Sequence, residues 1–145
     1  MLTISRALRD EVLAHCRSRY PKEACGLLAG PAGGAWAVAQ VYPMRNVEDS
    51  PIGYSMDPLE QLRVEKRMRA AGQRLIGIYH SHTATDAYPS PVDVSRAISP
   101  DLSYVLVSLS DQAAPAFRSY RIDGAAVTEE PVAIEGEAGD RSRMR

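Results

Sequence analysis

The chain has no surplus of either charge: 17 lysines and arginines face 18 aspartates and glutamates, a formal net charge of −1. That excludes a global basic field for nucleic acid or an anionic membrane surface. No apolar run reaches the roughly 18 residues that a membrane-spanning helix needs. The N-terminus also lacks the basic segment and long hydrophobic core of a secretory leader. A soluble, cytoplasmic protein is expected. Cysteine is scarce: Cys16 and Cys25 are the only two, and they form no Cys-x-x-Cys pair. In a reducing compartment both stay reduced and pack as small apolar side chains. The sequence leaves open a disulfide between them, and a place for Cys25 at the edge of a site. There is no internal repeat. At 145 residues the expectation is one domain with a real core, residues 1–134. The charged segment 135–145 can bury almost nothing and is expected to be a disordered tail.

What is present centres on His80-Ser81-His82, at the end of the apolar stretch Leu75-Ile76-Gly77-Ile78-Tyr79. In an extended strand, residues two apart share a face, so both imidazoles point one way and Ser81 the other. The residues Thr83 to Pro89 loop out before Ser90-Pro91-Val92-Asp93. Ser90 reads as an N-cap and Pro91 as the first helical residue. Asp93 then lies in the first turn, where its carboxylate can swing back to the strand end. Two imidazoles and a carboxylate suit zinc, and three protein ligands leave a fourth position for water, as in a catalytic site. Asp93 has a second reading, as the far partner of a capping box with Ser90. Asp86 is a second carboxylate within reach of the same centre. The pattern also needs an acid elsewhere to act as base.

The segment Pro21-Lys22-Glu23-Ala24-Cys25-Gly26-Leu27-Leu28 offers Glu23. With His80-Ser81-His82, Ser90 and Asp93, it resembles the JAMM (MPN+) metallopeptidases at every motif position. The resemblance implies that His80, His82 and Asp93 bind Zn2+, that Glu23 is the general acid/base, and that Ser90 stabilises the oxyanion. It implies a fold as well: α/β, a single MPN/JAMM-type domain with a mixed curved β-sheet flanked by helices, in a cytidine-deaminase-like three-layer architecture. Tyr79 through Ser90, Glu23-Ala24-Cys25-Gly26 and Arg118-Ser119-Tyr120-Arg121-Ile122 are similar to the branch of the family that acts on sulfur carriers. The implied partner is a ubiquitin-like sulfur-carrier protein with a C-terminal Gly-Gly. The implied reaction releases cysteine from a CysO-cysteine-type adduct, in cysteine biosynthesis. Family alternatives are an isopeptidase that removes ubiquitin-like proteins from lysine, and a non-catalytic MPN scaffold. Scaffold members usually lack the ligands that stand here. A zinc nucleotide deaminase would need His-x-Glu and Pro-Cys-x-x-Cys, and the chain has neither. A homodimer is left open.

Local signals place the remaining elements. Residues 5–20 read as a helix capped by Ser5, with Leu8, Val12, Cys16 and Tyr20 on one face and Pro21 as its stop. His15 lies off that stripe and reads as solvated. Strands are expected at Ala24–Ala29 and around Trp36–Tyr42, then an irregular segment over 43–56 in which Asn46 and Tyr54 are candidates to touch substrate. Asp57-Pro58-Leu59-Glu60 opens a helix to about Ala71, ended by Gly72, with Arg63, Glu65, Lys66, Arg67 and Arg69 on a solvated face. After the metal strand at 74–82 come a helix over 91–98 and strands at Tyr104–Val107, Ala116–Ile122 and Ala125–Ile134. Asp123-Gly124 signals a tight hairpin turn between the last two.

Overall fold

The computed structural model describes residues 1–136; of the tail expected over 135–145, Glu135 instead ends a strand paired with Ser5, and 137–145 lie outside the described residues. The elements in chain order are β1 (Leu2–Ser5), α1 (Arg6–Arg19), β2 (Cys25–Pro31), β3 (Gln40–Met44), α2 (Pro58–Ala70) and β4 (Gln73–His82). They continue as α3 (Pro91–Ser95), β5 (Ser103–Ser108), β6 (Ala116–Asp123), β7 (Ala126–Glu130) and β8 (Val132–Glu135). Six strands form one mixed sheet in the order β3-β2-β4-β5-β6-β7. The β4–β5 pair is parallel and its neighbours are antiparallel. A second, two-stranded sheet pairs β1 with β8 in parallel.

Both longer helices start where capping chemistry dictates. Ser5 Oγ accepts from Leu8 N at 3.1 Å, and Asp57 Oδ1 accepts from Leu59 N at 3.0 Å ahead of Pro58. Each satisfies an amide that the helix itself leaves unpaired. Gly72, at φ +71°, follows α2 in the left-handed conformation that glycine adopts without Cβ strain. The helices cover opposite faces of the main sheet. Leu2, Ile4, Val12, Cys16, Leu28, Ile76 and Val105 form one core with α1 and the small sheet. Leu27, Ala29, Val64, Met68, Ile78 and Tyr104 form the other with α2. Cys16 belongs to the first core and Cys25 to the second, and both are free thiols. Burial pushes each thiol up to about 12, which removes both as nucleophiles near neutral pH.

A bulge in β4 adjusts its faces. Leu28 pairs with Gly77 and Ala29 with Leu75, which leaves Ile76 as the extra residue. Ile76 and Tyr79 therefore join the α1-side core, while Leu75 and Ile78 join the α2 side. Beyond the bulge, simple alternation carries His80 and His82 onto the α2 side of the sheet.

Several expectations need correction. The strand drawn over Ala125–Ile134 is two strands, because Pro131 has no N–H to continue the β6 ladder. The chain turns there, Pro131 O accepts from Leu2 N at 3.0 Å, and β8 pairs with a β1 that local sequence did not signal. The strand expected at Trp36–Tyr42 is Gln40–Met44. Residues 36–38 instead hydrogen-bond both backbone groups of Thr3. The third helix stops at Ser95, not Ile98; it buries no side chain, and the Tyr104 hydroxyl holds both the N–H and the C=O of Ser99 in a loop. Tyr20 is exposed at the α1 C-cap and does not extend its apolar face. His15 is half-buried, and its Nδ1 lies 2.7 Å from the Tyr79 hydroxyl.

Candidate metal centre

The centre forms where strand register, a capped helix and one loop meet. In the β2–β4 ladder Cys25 pairs with His80. The ladder runs on past the end of β2: Ser81 N donates to Ala24 O at 3.0 Å, and Ala24 N donates to Ser81 Oγ at 2.9 Å. One residue further on, Glu23 N donates to Ser50 O at 2.9 Å, and the Glu23 side chain lines the same cleft as His82. Glu23 is thus delivered by backbone pairing. Its carboxyl is buried, and burial first, then the Asp93 and Glu48 charges, raise it to about 7 against the opposing pull of His82.

Helix α3 brings the third group. Ser90 Oγ accepts from Asp93 N at 3.1 Å, and Asp93 Oδ2 accepts from Ser90 N at 2.9 Å. The capping box is present, and the same carboxylate also faces both imidazoles. The same Oδ2 lies 3.0 Å from His82 Nε2 and 3.3 Å from His80 Nε2, and the two Nε2 atoms are 3.3 Å apart. Ligand atoms in a tetrahedron at zinc–nitrogen distances of about 2.0–2.1 Å stand about 3.3 Å from one another. The triangle of His80, His82 and Asp93 therefore has the dimensions of a metal-binding face. Burial lowers the affinity of His80 for a proton more than Asp93 restores it. Asp93 would be raised by burial, but the hydrogen bonds from His80 and His82 hold its carboxyl well below the usual range. These two states, a neutral imidazole and an ionised carboxylate, are those a cation requires; His82 is instead raised, against its burial, by Asp93 and the Asp86 carbonyl, and a cation would have to displace that proton.

Surrounding groups fix the orientation of these side chains. The Nδ1–H of His82 donates to the Asp86 carbonyl at 2.8 Å, which turns Nε2 toward Asp93 and His80 as the nitrogen that a metal would take. Asp86 thus serves through its backbone, and its carboxylate is not among the converging groups. The hydroxyls of Ser108 and Tyr120 hold the neighbouring carbonyls of Thr85 and Ala87. Three successive carbonyls of the loop are thereby tied to β5, β4 and β6. The Tyr54 ring stacks on His80 with centroids 4.4 Å apart. Tyr88 is exposed and packs edge-on against Tyr120.

Glu23, His82, Ser90 and Asp93 line one cleft of about 450 Å³, together with Pro51–Tyr54 on one wall and Thr83–Thr85 and Val92 on the other. Thr83 Oγ1 donates to Pro51 O at 3.0 Å and ties the walls together. Ser90 accepts from Asp93 N, so its own O–H remains a donor toward the cleft. Asn46, a candidate for substrate contact, is instead buried. Its amide nitrogen donates to the carbonyls of Glu23 and Gly53, and its oxygen accepts from Glu48 N and Ser55 N. It holds the cleft wall in place. The packing of Asn46 and the stacking of Tyr54 had no local sequence signal beyond their position in an irregular segment. Cys25 is fully buried beside Arg45 O, outside the cleft lining.

The family model for prokaryotic homologues of the JAB domain matches residues 5–123. The chain belongs to this JAB/MPN domain family. It is 48% identical over 134 residues to the CysO-cysteine peptidase of Mycobacterium tuberculosis, covering 92% of this chain and 91% of that one. It is 35% identical over 112 residues to the desampylase of Haloferax volcanii, covering 74% of this chain and 80% of that one. The solution structure of DSY2949 from Desulfitobacterium hafniense superposes with a TM-score of 0.85 at 41% identity, over 94% of both chains. The mixed sheet between helical layers is the JAB/MPN fold that the motif resemblance implied.

Proposed function

We propose that this protein is a cytoplasmic zinc metallopeptidase. On this reading residues 1–134 act as one domain. It hydrolyses the bond after the C-terminal Gly-Gly of a ubiquitin-like sulfur carrier and releases cysteine from the carrier for biosynthesis. The observation that carries the reading is the convergence of His80, His82 and Asp93, of which His82 and Asp93 line the cleft that also holds Glu23 and Ser90. The identity to a CysO-cysteine peptidase over 92% of the chain supports the substrate. The free thiols of Cys16 and Cys25 accord with a reducing compartment.

His80 and His82 through Nε2, and Asp93 through Oδ2, would hold the ion. Zinc bound there supplies Lewis-acid polarisation of the scissile carbonyl and a water acidified to a pKa of about 7. Glu23 takes the proton of the attacking water and delivers it to the leaving amine as the carbon–nitrogen bond breaks. Its carboxyl, near 7, exchanges a proton readily in both directions. Ser90 donates its O–H to the developing oxyanion; donors of this kind contribute about 2–4 kcal/mol. An extended glycine tail, which has no side chains to clash with the walls tied by Thr83 and Pro51, would lie in this cleft.

The test is intact mass spectrometry of a ubiquitin-like carrier ending in Gly-Gly-Cys, incubated with the protein with and without a zinc chelator. The expected result is chelator-sensitive loss of one cysteine residue. Glu23→Gln should keep its zinc and lose most activity, while His82→Ala should lose zinc. Full turnover by Glu23→Gln would refute the role of base. A zinc-loaded protein that leaves the carrier–cysteine bond intact would refute the substrate.

A further inference from the structure

We infer that Arg96 selects substrates whose leaving residue carries a free α-carboxylate. The inference rests on the peptidase reading above and adds a specificity determinant to it. Arg96 is the one basic side chain among the described residues that line the cleft, where Glu23 and Asp93 are the acidic ones. It stands three residues after Asp93, as the αR C-cap of α3. Residues three apart in a helix share a face, with Cβ atoms about 5–6 Å apart. The guanidinium therefore leaves the helix on the side of the ligand carboxylate. Its anchor points the same way. Nη1 donates to Tyr54 O at 2.8 Å and to Glu48 Oε2 at 2.9 Å, and the Tyr54 ring is the one stacked on His80.

Both anchoring bonds use Nη1 alone. Among the described residues Nη2 and Nε have no hydrogen-bond partner, which leaves two parallel donors of the guanidinium fork. That edge matches the two oxygens of a carboxylate. The chemistry of the leaving group supplies the need. An amino acid at the end of a chain carries an α-carboxylate close to the scissile bond. It must settle in a cleft that already contains the carboxylates of Glu23 and Asp93. A protein lysine freed from an isopeptide bond brings no such charge. Arg96 thus favours release of a terminal amino acid over isopeptide cleavage.

The experiment uses two carriers, one ending in Gly-Gly-Cys with a free carboxylate and one ending in Gly-Gly-cysteinamide. The kcat/KM ratio is measured for wild type, Arg96→Gln and Arg96→Lys, with zinc content and Tm recorded for each. Wild type should prefer the free acid by roughly 10- to 100-fold, the range for a hydrogen-bonded charge. Arg96→Gln should bring the ratio to about 1 by slowing the acid substrate alone, and Arg96→Lys should keep part of the preference. A residue that merely holds Tyr54 would slow both substrates alike, and that outcome overturns the inference. Equal cleavage of both carriers by wild type overturns it too, with the peptidase reading intact. Cleavage of neither by the zinc-loaded wild type overturns both.

Discussion

Replacing Gly26 by alanine tests the packing that sets the ligand strand in place. Gly26 pairs with Tyr79 across β2 and β4, one step from Cys25 and His80. A Cβ at Gly26 would lie 2.2 Å from Tyr79 Cε2, 2.3 Å from Cζ and 2.4 Å from the hydroxyl oxygen. Carbon atoms in contact prefer about 3.5–4.0 Å, so the ring must move by more than about 1 Å. It has nowhere to go: Tyr79 is fully buried, and its hydroxyl meets His15 Nδ1 at 2.7 Å. Overpacking of a core costs about 1–3 kcal/mol, and this overlap belongs at the upper end. Loss of the His15 contact adds about 1 kcal/mol. The sum, about 4 kcal/mol, corresponds to a fall in Tm of about 8–16 °C for a chain of this size. Thermal and urea unfolding monitored by circular dichroism would measure it. Tyr79→Ala should be destabilising alone but should relieve Gly26→Ala, so the double variant should be less destabilised than the two costs added together. A Gly26→Ala protein that melts within about 2 °C of wild type, a fraction of the predicted shift, refutes the packing argument. So does strict additivity with Tyr79→Ala.

Other outcomes follow from the same contacts. Asn46→Ala removes two donated and two accepted hydrogen bonds from the cleft wall and leaves the Glu23 carbonyl without that bond, a loss of roughly 1–3 kcal/mol. Limited proteolysis should then cut between residues 46 and 55 faster than in wild type. Metal binding should stabilise the fold: zinc at about 100 times its Kd adds about 2.7 kcal/mol, visible as a rise in Tm that His82→Ala abolishes. Burial alone would raise the Glu130 carboxyl, but hydrogen bonds from Ser103, Ser119 and Arg121 outweigh it and hold the group below its ordinary value. A carboxyl lowered in the fold stabilises fully above its unfolded pKa of about 4.3 and loses that contribution as pH falls through the folded value. Glu130→Gln should flatten the acid limb of a stability–pH curve below about pH 4.5; an unchanged limb would assign the acid sensitivity elsewhere.

Much of this protein is written locally. Ser5, Asp57-Pro58 and Ser90-Pro91 fix three helix starts, because each supplies an acceptor to amides that cannot pair within the helix. The alternation of a strand puts His80 and His82 on one face and Ser81 on the other. The spacing to Ser90 and Asp93 suffices to nominate His80, His82 and Asp93 as a candidate metal-binding group, since strand, loop and helix are contiguous in the chain. The rest depends on residues far apart in sequence. Glu23 is brought to the cleft beside His82 by the β2–β4 ladder just beyond it, which only the packed sheet creates. The bulge at Ile76 is defined by its partner strand, and β1 with β8 exists because the two ends of the chain meet. His15, Asn46, Tyr54 and Arg96 look like ordinary polar residues of helix or loop until folding brings them to Tyr79, Glu23, His80 and the cleft. Sequence determined which groups are the candidates to carry the chemistry, because most of their pattern is short-range. Tertiary structure alone decided how they are aimed and enclosed, because hydrogen bonds and burial between distant segments have no local signature.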